Sequence, residues 1–304
     1  MNATTGQITP GTSAPGSYTV TYTYTSGTCT GTTTTGIQIE SGPAVVLQPS
    51  VASGCVGSSF NLQAQAIANM QVQGVAHHVL TPSAGTTTIW NTYQDDALSA
   101  AIPIPFTFNF YGAATTQLYV STNGYVQLQT STANSLTPQN LPNPAAPNNL
   151  IALCWDDLIL DPSTHPGANI RYFTNGTAPN RIFVIEYNQL RFLGGSSAEN
   201  VTGQIRLYEG INDIQIAVVS INDDGNNYTK TLGVENATGT LGISPAGRNN
   251  TGFQAAAETW RFFTGGPYSY AWSPATYLNN TTIPNPVATN VTSGINYTVR
   301  VTHS

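Results

Sequence analysis

Charge is what this sequence has least of. Only 7% of its 304 residues are Asp, Glu, Lys or Arg, against ~25% in an ordinary soluble domain. Eight Lys+Arg against fourteen Asp+Glu give a net charge of -6. There is no basic stripe to neutralise phosphates, so no nucleic-acid partner is expected. No apolar run approaches the ~20 residues that cross a bilayer, and membrane insertion is not expected either. The longest runs, such as Leu150 to Trp155, are strand-sized. Lysine occurs once, at Lys230. A Thr-rich, Lys-poor, weakly charged surface points to an extracellular protein. Cysteine is scarce as well. Cys29, Cys55 and Cys154 lie far apart without a C-x-x-C pair, which excludes a dense disulfide framework or a cysteine metal cluster and allows one disulfide at most. Residues Met1 to Gly6 show no basic segment leading into an apolar one, so an exported protein of this sequence is expected to be a processed form or a fragment.

Hydrophobic residues make up 40% and aromatics 10% of the chain, which is enough to pack a core and argues against disorder. The dominant pattern has a period of two. In Ser17 to Tyr24, Tyr and Val fall on one face and Thr on the other, and Ile295, Tyr297, Val299 and Val301 repeat the pattern near the C-terminus. That is the signature of half-buried strands. Between these ends, Gly, Pro and Asn punctuate strand candidates at 106–110, 118–121, 125–129, 150–155, 169–173, 181–187, 203–208, 213–219 and 231–235. Leu62 to Gln73 and Ala255 to Phe263 also admit a helical reading, but the first alternates Leu62, Ala64 and Ala66 with Gln63 and Gln65 and is read as strand. The fold class expected is all-β: Ig-like β-sandwiches with an inserted, larger, jelly-roll-like sandwich.

Motifs that carry chemistry are few. No G-x-S-x-G occurs, and Gly242 to Gly247 has the wrong spacing and a proline where a nucleophile elbow must bend. His77 and His78, as neighbours on a strand, would point to opposite faces and are read as a solvated pair. Cys154, between Leu153 and Trp155, reads as an inert core thiol. No enzyme is expected. The best site candidates are acidic pairs, because hard carboxylate oxygens on loops are what Ca²⁺ takes. Asp156-Asp157 is bracketed by Trp155 and Leu158 and is expected to be drawn inward, where Ca²⁺ or an arginine, Arg171 or Arg181, would offset the repulsion. Asp95-Asp96 is a second candidate for the metal, whereas Asp223-Asp224-Gly225 reads as a polar hairpin turn. For a ligand such as surface polysaccharide, the rings to inspect are Tyr93, Tyr111, Tyr228 and Tyr268, all flanked by turn residues. Lys230 has the chemistry for an intramolecular isopeptide bond, but a lone lysine after Tyr228-Thr229 in a turn-rich segment reads as an ordinary surface residue.

Three stretches carry a family likeness. Gly6 to Pro10, Ala14 to Tyr22 and Cys29 resemble the end of an Ig-like repeat of very large Bacteroidota surface proteins, the gliding-motility adhesins exported by the type IX system. Cys55 to Leu62 resembles the first strands of another such Ig/PKD-like repeat, whose remainder appears as Tyr270 to Leu278, Pro284-Asn285-Pro286 and Tyr297-Thr298-Val299. Phe106 to Gly112, Ser121 to Val126, Leu153 to Leu158, Ala178 to Val184 and Ile205 to Glu209 resemble, in order, the β-sandwich module of nidogen-like proteins. The resemblances imply a partial repeat at 1–40, a split sandwich made of 41–69 plus 265–304, and an inserted domain at 70–264. They imply a non-enzymatic segment of a long adhesin or filament at the bacterial cell surface, acting as a stiff spacer and adhesive module. Its partners would be neighbouring repeats or subunits. A carbohydrate-binding module is the alternative, and it would leave two or three rings exposed together.

Overall fold

A computed structural model describes residues 16–26, 29–39, 44–49, 51–67, 70–128, 134–264 and 268–303. Among them every regular element is a β-strand. The chain divides into two compact units, one spanning residues 67–266 and the other combining 1–66 with 267–304.

The larger unit is an antiparallel sandwich. Its first sheet has seven strands, in the order Gly242–Ile243, Thr229–Glu235, Leu150–Trp155, Tyr125–Gln127, Ala113–Ser121 and Ile102–Phe110, with Thr251–Gly252 also on Thr229–Glu235. Its second has nine. Met70–Val75, Ala255–Thr264, Ile214–Asn222, Asn200–Tyr208, Ile182–Phe192, Leu158–Leu160 and Gln94–Asp95 follow one another, while Asn169–Asn175 joins Ile182–Phe192 to Thr87–Trp90. Each of the nine strand candidates read from the sequence overlaps one of these strands. Ala255–Thr264 is a strand because its backbone pairs on both sides, with Ile214–Asn222 and with Met70–Val75.

Alternation builds the core. Along Ile102–Phe110 every second residue is buried, and Phe108, Leu118, Ile151 and Leu153 of the first sheet join Ile185, Tyr187, Ile205 and Ile216 of the second in one hydrophobic cluster. The Tyr187 hydroxyl crosses between sheets, 2.8 Å from the carbonyl oxygen of Tyr125 and 3.1 Å from that of Ser121. Leu150–Trp155 is buried along its whole length, and the reason is a second, outer cluster. Ile151 and Leu153 face the other sheet, while Leu150, Ala152 and Trp155 pack outward with Tyr125 and Leu141. The 134–149 segment covers that outer face. Trp155 Nε1 donates to Ser135 O at 2.9 Å, and the Tyr125 hydroxyl donates to Asn134 Oδ1 at 2.7 Å.

The smaller unit consists of strand pairs. Gly16–Ser26 pairs with Cys29–Ile39, Ala44–Gln48 with Gln63–Ile67, Ser58–Asn61 with Val287–Val291, and Tyr268–Ser273 with Thr298–His303. Phe60 lies opposite Ala288, so the segments on either side of the larger unit hydrogen-bond to each other. Side chains from both segments, including Phe60, Leu62, Trp272 and Tyr297, line a cavity of about 840 Å³. Of the alternating face expected on the first strand, Tyr22 is 64% exposed. The side chains of Tyr18 and Tyr24 lie outside the described residues.

Candidate functional site

One corner of the sandwich gathers carboxylates. The short strand Gln94–Asp95 pairs with Leu158–Leu160, placing Asp95 opposite Ile159, and this register brings the Asp95-Asp96 loop beside Asp157. The hairpin turn at Asn123-Gly124 locks the two loops together. Asn123 Nδ2 donates to Asp96 Oδ1 at 2.8 Å, and its Oδ1 accepts from the Leu158 amide at 3.1 Å. Glycine is required next to it. At Gly124, φ is +77° and a Cβ would lie 2.0 Å from the Cys154 carbonyl oxygen, while the Gly124 carbonyl accepts from the amides of Leu153 and Cys154.

Carboxylate oxygens of Asp95, Asp96 and Asp157 all lie within 4.8 Å of one another. Two oxygens bound to one Ca²⁺ at ~2.3–2.6 Å are at most ~5 Å apart, so the spacing fits one ion, with water completing the shell. Burial pushes the Asp157 carboxyl above its usual range, and the charges of Asp96 and Asp95 push it further. Its Oδ1 is buried without a hydrogen-bond partner.

Asp156 does not join this group. Neighbouring side chains on a tight turn diverge, and Asp156 Oδ1 instead accepts from the Asp157 amide at 2.9 Å. Burial pushes its carboxyl up to about 6, partly offset by that amide and by Lys230, with Asp157 and Asp223 adding to the rise. The expected arginine partners are engaged elsewhere. Arg171 pairs with Glu186 at 2.5 Å across adjacent strands and Arg181 with Glu209 at 2.6 Å.

The four tyrosines differ in availability. Tyr93 is 56% exposed, two residues before Asp95. Tyr111 is 7% exposed, with its ring edge-on to Phe110 at 4.8 Å. The turn residues around it suggested exposure, but a left-handed backbone at Tyr111, φ 48°, folds the ring inward instead. Tyr228 is half-buried and tilted over Phe192 at 5.0 Å. Tyr268 belongs to the smaller unit and is half-buried.

One reading from the sequence is corrected. Lys230 is not a surface residue: its side chain has no exposure, and its Nζ lies 2.9 Å from Asp223 Oδ2, itself 1% exposed. The Asp223-Asp224-Gly225 turn is therefore polar outward only, because its first carboxylate turns in to meet the lysine. His77 and His78 lie in a loop, His78 exposed as expected and His77 half-buried. His77 Nδ1 is 3.1 Å from the Glu258 carbonyl, and the His78 carbonyl accepts from buried Arg206. The signal in the sequence was the strand pattern itself, since Lys230 sits on the inward-facing run that continues through Leu232 and Val234.

Two facing antiparallel sheets, with no helix among the described residues and with polar groups gathered on connecting loops, define an all-β sandwich module. Its sequence places it further. The NIDO-related family model matches residues 73–276, and the chain belongs to that family, which is typical of extracellular proteins. No curated protein and no solved structure matches the chain. Among the described residues no helix is long and apolar enough to cross a membrane.

Proposed function

We propose that this chain is a non-enzymatic segment of a long cell-surface adhesin or extracellular filament, in which the NIDO-related module is set into a repetitive β-sandwich and takes up Ca²⁺ at its acidic corner. The observation that supports this best is how the module begins and ends. Its first strand, Met70–Val75, pairs antiparallel with its last, Ala255–Thr264, so that Met70 lies opposite Thr264. A domain whose termini are adjacent is set into a loop of a host without separating the host's strands, and a host split at 41–69 and 265–304 is consistent with the pairing of Phe60 and Ala288. The likeness of the flanks to gliding-motility adhesins of the type IX system extends the reading to a bacterial surface. Its partners are then neighbouring repeats or subunits of the same filament. The test is immunolabelling of intact cells with antibody raised to the module. Surface label on unpermeabilised cells, lost with deletion of the gene, is the expected result, and label that appears only after permeabilisation overturns the reading.

One observation favours carbohydrate binding as a second reading: Tyr93 places an exposed ring beside the acidic corner. A glycan array run with Ca²⁺ and with chelator separates the two. Binding that needs both the ion and Tyr93 favours the lectin, and no binding favours the spacer.

A further inference from the structure

The single lysine of the chain is spent in the interior, against an aspartate. An ion pair taken out of water loses solvation that its attraction only partly restores. Aromatic rings flank the lysine, and a few polar groups contact the pair. Nζ lies 5.3 Å from the Phe192 ring centroid and 5.2 Å from that of Phe253, and Tyr228 stacks over Phe192. We propose that Lys230 and Asp223 become joined by a spontaneous intramolecular isopeptide bond that fastens the two sheets of the module together at this corner.

The geometry supplies what the reaction needs. Asp223 directly follows Ile214–Asn222 of the nine-stranded sheet, and Lys230 lies in Thr229–Glu235 of the seven-stranded sheet. Nζ and Oδ2 are in hydrogen-bond contact at 2.9 Å, which holds the amine against the carboxyl group it would attack. Burial works against the charge on Asp223, but the hydrogen bonds from Lys230, Gln254 and the Gly225 amide hold its carboxyl below the usual range. The ion pair is therefore the resting form, and the reaction runs through the neutral one, in which a proton of Nζ has passed to Oδ2 along that hydrogen bond and left an amine and a carboxylic acid. The Nζ lone pair then attacks Cγ. The other carboxyl oxygen, Oδ1, accepts from Gln254 Nε2 at 2.9 Å and from the Gly225 amide at 3.2 Å, and these donors stabilise the charge that builds on it. The Tyr228 carbonyl holds a further Nζ proton at 2.6 Å and so fixes the direction of the amine. Collapse breaks the Cγ–Oδ2 bond. Oδ2 departs as water, carrying the transferred proton and one more from the nitrogen, and a secondary amide remains. No oxidant or co-reactant is required, and the exposed turn Asp224 to Asn227 gives the water a way out.

The test is intact mass followed by tryptic mapping of the denatured chain. The bonded protein is lighter than its sequence by one water, and trypsin, which needs a free lysine, leaves Leu207 to Arg248 as a single peptide carrying that deficit. The Lys230→Arg variant keeps the positive charge, cannot form this amide, and regains the full mass. Cleavage after Lys230, a full sequence mass for the native chain, or a water deficit that persists in Lys230→Arg each overturns the bond and leaves a plain buried ion pair. The last outcome would place the water loss in the adjacent Asp224-Gly225 step instead.

Discussion

The unit formed by the flanks is richer in Thr and Tyr than the module and, of the chain's charged residues, holds only Glu40 and Arg300, and the two regions also bury their apolar faces differently. In the module, sheets of seven and nine strands cover each other, and one cluster gathers residues from both. Among the described residues of the flanking unit each sheet has two strands, and apolar side chains such as Leu47, Phe60 and Trp272 wall a cavity of about 840 Å³ instead of filling it. The charges follow the same division. All six ion pairs among the described residues belong to the module. Period-two alternation thus specifies a strand with one apolar face, but burial of that face depends on a second sheet to cover it.

The sharpest way to break this comparison is to empty a side chain from each unit. Phe108 is fully buried in the module core, and Phe108→Ala is expected to cost about 3–5 kcal/mol through lost transfer energy and a cavity. Trp272 is 7% exposed but borders space that already exists. Trp272→Ala is expected to cost less, about 1–2 kcal/mol, since fewer packed neighbours lose contact. Chemical denaturation followed by two probes reads both. Equal costs would mean that the flanking unit is as tightly packed as the module.

A second substitution sharpens the role of the turn that carries the acidic corner. Gly124→Ala sets a Cβ against the Cys154 carbonyl at a left-handed φ, and the expected loss is about 2–4 kcal/mol from overlap and backbone strain. Because Asn123 bridges Asp96 and Leu158, Ca²⁺ affinity should fall with it. An unchanged denaturation midpoint would show that the turn relaxes freely.

How much of this was legible beforehand differs by level. The strands were, because stretches such as 106–110 and 213–219 announce themselves by apolar residues and flanking turn residues, although the first extends further back, to Ile102, than its pattern indicated. The Asn123-Gly124 dipeptide is itself a hairpin-turn signal. The acidic corner was legible in part. Asp95, Asp96 and Asp157 were named from their pairing, but only the register between Gln94–Asp95 and Leu158–Leu160 brings them together, and register between distant strands is not a local property. Burial of Lys230 was missed for a related reason. A turn-rich neighbourhood predicts exposure, whereas the chain here crosses from one sheet to the other and carries the lysine into the interior.

The third test asks whether the acidic corner holds an ion in the module alone. At Ca²⁺ about 100-fold above its dissociation constant, binding to the native state adds about 2.7 kcal/mol. Chelator should therefore lower the module's melting transition and leave that of the flanking unit in place. Asp157→Asn should abolish the difference, since it removes the carboxylate whose Oδ1 is buried without a partner. A transition indifferent to Ca²⁺ would remove the metal from the proposed function.

The smallest effect expected concerns Asp156, and its sign is fixed by its surroundings. While Lys230 and Asp223 remain an ion pair, burial first, then the charges of Asp157 and Asp223, push its carboxyl up to about 6 from an ordinary 3.8, against the opposing pull of the Asp157 amide and Lys230. The native state thus holds a proton that the unfolded chain has released between those values. The stability this gives is fully present below about pH 4 and is lost as pH rises through about 6. Above that, the ionised carboxylate works against the fold by about 1–2 kcal/mol once its partial exposure is allowed for. Asp156→Asn imitates the protonated form. With chelator present, it should raise the module's stability by that amount at pH 8, match the native chain at pH 3.5, and leave the flanking unit's transition unmoved at both. A gain of the same size at both pH values would trace the effect to altered packing instead of a titrating charge, and a loss at pH 8 would mean that Asp156 is ionised and held by Lys230.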